Sequence, residues 1–125
     1  MSNQALLRGI WILSIGATLW FAFVPAEMGG LGGAGYHGVA FMVLGLLTSA
    51  AFPRINPLLV WAGLVLLGGG IEMVQQFTDF SRHGEWADFR LNAIAAAVGV
   101  IYARIGRYLL SRVRREEAEA SVHDD

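Results

Sequence analysis

Four long apolar stretches fill most of this 125-residue chain, and few folds can accommodate them. They run from about Ile10 to Val24, Tyr36 to Phe52, Leu58 to Phe77 and Leu91 to Leu110. A bilayer core of roughly 30 Å needs about 20 helical residues at 1.5 Å each, within a working range of about 17–25. The last two stretches meet that length, and the first two reach it with their flanks. Apolar residues lie on nearly every side of the expected helices, the pattern of burial in lipid or in a large core. A chain this short cannot build a soluble core large enough to hide four such helices. Composition agrees: charged residues make up 15% of the sequence, against about 25% in soluble domains. The expectation is an all-α integral membrane bundle of four transmembrane helices.

The connections divide the bundle. Gly29-Gly30-Leu31-Gly32-Gly33-Ala34-Gly35 disfavours helix, each Gly costing about 1 kcal/mol relative to Ala. Pro53 and Pro57 bracket a turn around Arg54-Ile55-Asn56. The segment from Thr78 to about Trp86 is polar, with Asp79, Ser81, Arg82, His83 and Glu85. Residues 1–112 read as one four-helix domain and 113–125 as a charged cytoplasmic tail, disordered beyond Glu116. Arg8, Arg54, Arg104, Arg107, Arg112, Arg114 and Arg115 fall at one end of the threading, Arg82 and Arg90 at the other. The positive-inside rule therefore predicts cytoplasmic termini and outward-facing first and third connections. A leader cleaved near Val24-Pro25-Ala26 is the rival reading for the first stretch. Trp11, Trp20, Phe21 and Phe23 favour a retained helix.

No Cys is present, so disulfides, thiolate nucleophiles and thiolate metal sites are excluded. A net charge of −1 gives no reason to expect nucleic acid as a partner. The expected partner is the lipid bilayer itself.

Alternating threading brings His37, Glu72, Gln75 or Gln76, Asp88 and Asn92 to a similar depth near the outer face. Glu72 is the most telling, because more than ten apolar residues precede it and an intramembrane acid is a functional candidate by default. His37, Glu72 and Asp88 are the candidates for proton transfer or catalysis. Gln75, Gln76, Arg82, Glu85 and Asn92 are the candidates for binding, with Arg82 suited to a phosphate or carboxylate. Each has a plainer explanation. Glu72 with a neighbouring Gln could fix helix register by interhelical hydrogen bonds, and Asp88 suits the first turn of a helix whatever its function. His37, Glu72 and Asp88 also form a conceivable nitrogen-and-carboxylate metal set. Nothing in the local spacing supports a metal, and none is predicted. No cofactor is expected.

The pattern Glu72-Met73-Val74-Gln75-Gln76-Phe77, then Arg82, Glu85, Asp88 and Asn92 ahead of a small-residue helix with Gly99, resembles the VanZ-like membrane proteins. His37-Gly38-Val39-Ala40-Phe41 is similar to that family's His near the start of its second helix. The likeness spans roughly residues 35–100 and leaves either Gln75 or Gln76 as the matching amide. Gly33-Ala34 stands where family members often carry Asp-Lys. The resemblance implies the cytoplasmic (inner) membrane of a bacterium and a link to low-level teicoplanin resistance.

Two functions follow as expectations. One is an envelope protein binding, or modifying, an anionic lipid or lipid-linked cell-wall precursor near the outer leaflet. The other is a non-enzymatic scaffold whose polar cluster fixes helix packing. Ion movement is disfavoured, because the inner halves of the helices hold almost no polar residues.

Overall fold

The computed structural model describes residues 2–24, 34–77 and 86–123. They form four helices: α1 (Asn3–Phe23), α2 (Ala34–Ala51), α3 (Pro57–Phe77) and α4 (Trp86–His123). Three of these, α1, α3 and α4, are long and apolar enough to cross a membrane; α2 is equally apolar but shorter. The Gly-rich connection and the segment carrying Arg82, His83 and Glu85 lie outside the described residues.

Local chemistry sets the helix ends. The Ser2 hydroxyl accepts from the Ala5 amide at 3.3 Å and opens α1. α2 stops just before Phe52-Pro53, where the proline disfavours helical geometry in the preceding residue. Asn56 caps α3 by accepting from the Leu58 amide at 2.9 Å, and Pro57 takes the first helical position, where its missing N–H costs nothing. α4 continues to His123, well past Glu116, where the charge run predicts a disordered tail. Ala118, Ala120 and the Arg and Glu residues between 112 and 119 are strong helix formers. Arg112 and Glu116, like Arg115 and Glu119, stand four apart on one face.

Paired contacts give the threading. Arg8 and Trp11 meet Phe52 and Thr48 at one end of the α1–α2 pair, and Phe21 meets Tyr36 at the other. α3 and α4 also run antiparallel: Gly69 faces Phe89, while Arg104 reaches back to the Ile55 carbonyl. Successive helices therefore alternate in direction.

The core centres on α2, whose Phe41 and Leu44 are fully enclosed. One stripe of α3 faces it, formed by Val60, Leu64, Gly68, Ile71 and Gln75 at helical spacing. α2 and α4 cross backbone to backbone. A methyl group on Gly45 would run into the Ala96 carbonyl oxygen, and one on Gly99 into the Met42 carbonyl oxygen. Such crossings are how helices associate where apolar surroundings remove the hydrophobic drive. Indole N–H groups tie the outer pairs: Trp11 donates to Thr48 Oγ1 and Trp61 to the Ala93 carbonyl, each at 2.9 Å. The outer surface is apolar, with Leu13, Leu66 and Phe77 each more than 70% exposed. Water would penalise that surface by about 25 cal/mol per Å²; lipid would not.

Candidate functional site

A single packed layer locates the polar residues. Gly68 of α3 makes room for the Phe41 ring of α2, 3.3 Å from where a β-carbon would stand, and for Asn92 of α4 at 3.7 Å. These three residues thus lie at one level. Four residues from each, toward the end holding the α2 and α4 N-termini and the α3 C-terminus, stand His37, Glu72 and Asp88. Residues four apart share a helix face and differ by about 6 Å in height. The imidazole and the two carboxyls therefore occupy one stratum, a helical turn beyond the Gly68–Phe41–Asn92 layer.

All three are half-buried. Both carboxylate oxygens of Glu72 are shut off from solvent. Glu72 lines a groove of about 730 Å³ between α3 and the start of α4, together with Gln76, Met73, Gly69, Trp86 and Phe89. Trp86 and Phe89 stack at 5.1 Å and 26° to form one wall, and Phe89 lies over Gly69. His37 lines a second groove of about 230 Å³ between α1 and α2, with Thr18, Phe21 and Tyr36. Asp88 stands in the first turn of α4, where a negative charge complements the helix dipole.

The two glutamines separate. Gln75 is 4% exposed and donates its amide N–H to the Ala22 carbonyl at 2.7 Å. That bond satisfies a carbonyl in the final turn of α1, which has no partner further along its own helix. Gln76 is exposed and shares the groove with Glu72. Asn92 points into the core, 1% exposed, and neither end of its amide finds a hydrogen bond among the described residues. A buried polar group in that condition usually costs stability and calls for a function or a hidden partner. Arg82 and Glu85 lie outside the described residues. Among the described residues no group of three or more His, Asp or Glu side chains is arranged to hold a metal ion.

Sequence reasoning did not identify the aromatic wall, because Trp86 reads as the end of a polar connection. Its spacing from Phe89, three residues along a helix, was the available signal. No known protein family, curated protein or solved structure matches this chain.

Proposed function

We propose that this chain is a four-span bacterial envelope protein that binds an anionic lipid or lipid-linked cell-wall precursor. The observation that carries the reading is the groove between α3 and α4. It is apolar along most of its length yet bordered by Glu72 and Gln76 at the level of His37 and Asp88. An amphipathic ligand suits such a site, with its chain along Leu66, Gly69 and Phe89 and its headgroup at the polar stratum. Arg82, on the adjoining segment, supplies the positive charge an anionic headgroup needs. Glu72, which lines the groove, orients the headgroup or exchanges protons with it, while His37, which lines the neighbouring α1–α2 groove, and Asp88 support Glu72 from the same level.

The arginine distribution supports placing the chain in the inner membrane, with cytoplasmic termini and the polar stratum toward the outer leaflet. The Glu72-to-Asn92 pattern supports membership of the VanZ-like family and, through it, a link to glycopeptide resistance. The test pairs Glu72→Gln and His37→Ala, each assayed for membrane accumulation and for teicoplanin sensitivity of the host. Normal accumulation with lost resistance is expected. Variants that match the parent in both assays would remove the site.

The scaffold reading has its own support, since Gln75 and Ala22 show a polar group at this end spent on helix packing. Under that reading accumulation and phenotype fall together.

A further inference from the structure

The opposite end of the bundle carries a second polar cluster, made of arginines gathered on one short turn. The turn comprises Phe52 to Asn56, where the Ile55 N–H donates a hydrogen bond to the Phe52 carbonyl at 3.1 Å. Arg8 of α1 lies over the Phe52 ring, its guanidinium carbon 5.4 Å from the centroid. Arg54 projects from the turn and is exposed. From α4, Arg107 donates to the Pro53 carbonyl at 3.1 Å, and Arg104 donates to the Ile55 carbonyl. Two helices and the turn thus gather four arginines on a stretch of five residues.

Among the described residues no carboxylate neutralises them. No Asp or Glu occurs in residues 1–26, 28–71 or 89–115. Among the described residues none of the four forms an ion pair; their recorded partners are two carbonyls and a ring. The Arg104 Nε is also shut off from solvent and has no hydrogen-bond acceptor among the described residues. Carbonyl anchors fix the direction of two guanidinium groups but leave their charge uncompensated. Like charges gathered on one turn repel one another, and an anion set among them relieves that repulsion. A guanidinium matches the oxygens of a phosphate with paired N–H donors.

We propose that the Phe52–Asn56 turn is a binding site for the phosphate group of an anionic phospholipid, formed by Arg8, Arg54, Arg104 and Arg107. It rests on the reading that the chain spans a membrane, which places this turn at the headgroup level of one leaflet. It is separate from the Glu72 groove and requires none of its residues. The lipid's acyl chains lie along the exposed apolar faces of the helices, while its phosphate bridges Arg54 of the turn and Arg107 of α4. Basic clusters between helices hold anionic headgroups by this combination of charge and depth.

The test uses the full chain in neutral-detergent micelles, with phosphatidylglycerol added and retained lipid counted by native mass spectrometry. One saturable phosphatidylglycerol is expected, in preference to phosphatidylcholine. Arg54→Gln alters an exposed side chain, and Arg107→Gln removes the second bridge. Each is expected to weaken retention about fivefold, the scale of one basic residue near an anionic surface. Arg114→Gln, two turns further along α4, is expected to leave retention unchanged. Equal losses in Arg54→Gln and Arg114→Gln would reduce the effect to diffuse charge and overturn the site. Displacement of the lipid by millimolar inorganic phosphate would overturn the lipid assignment. Fractionation of the native chain with membranes tests the spanning premise by itself.

Discussion

Gly99→Ala tests the crossing on which the arrangement of α2 and α4 depends. An added β-carbon would meet the Met42 carbonyl oxygen, with the Met42 carbonyl carbon and the Leu46 amide nitrogen both at 2.9 Å. All three are backbone atoms, so no side-chain rotation relieves the overlap. Restoring a contact of about 3.5 Å moves the helices apart by on the order of 1 Å along the whole crossing. Overpacking of this kind costs about 1–3 kcal/mol, with the upper end expected where backbone obstructs. The better helix propensity of Ala returns about 1 kcal/mol. A net loss of about 2 kcal/mol follows, a roughly thirtyfold change in the folded-to-unfolded ratio. Gly106→Ala is the internal control, because a β-carbon there meets nothing within 4 Å. The measurement is reversible unfolding in mixed micelles with increasing dodecyl sulfate, followed by circular dichroism. If Gly99→Ala is as stable as Gly106→Ala, the close crossing is refuted.

Three further substitutions test where the polar side chains point. Gln75→Ala removes the hydrogen bond to Ala22 and leaves a small void, costing about 2–3 kcal/mol, whereas Gln76→Ala stays within about 0.5 kcal/mol of the parent; equal stabilities in the same unfolding assay would contradict the inward placement of Gln75. Asn92→Leu replaces an amide that has no partner among the described residues and should hold or raise stability, by up to about 3 kcal/mol. A marked loss would reveal a polar partner for that amide.

The sequence makes the helices legible because length and apolarity are set by the surroundings they must occupy. Pro53, Pro57 and Asn56 announce the turn and its cap, and the small residues Gly68 and Gly99 are recognisable as packing surfaces. Which face each helix turns inward is far harder to read. An apolar residue suits both lipid and core, so the periodicity that marks the buried face of a soluble helix is almost absent. Gln75 and Gln76 show this well: adjacent and chemically identical, they point into the bundle and into the groove respectively. Gly45 escaped notice for the same reason, although Gly38, Gly45 and Ser49 repeat on one side of α2. The continuation of α4 through the charged tail is not legible, because net charge and low apolarity resemble disorder, while Arg, Glu and Ala also favour helix. For the candidate site, the alternating threading accounts for the shared level of His37, Glu72 and Asp88, whereas the groove and its aromatic wall depend on side-chain packing that spacing alone does not fix.

The chain lacks cysteine, so single thiols report the side of the membrane without background. The decisive experiment labels Ser81→Cys and Ile55→Cys in intact cells with a membrane-impermeant maleimide. If the polar stratum lies toward the exterior, Ser81→Cys reacts in intact cells and Ile55→Cys reacts only after permeabilisation. Labelling at Ile55→Cys with protection of Ser81→Cys would turn the bundle over and contradict a ligand site at the outer leaflet.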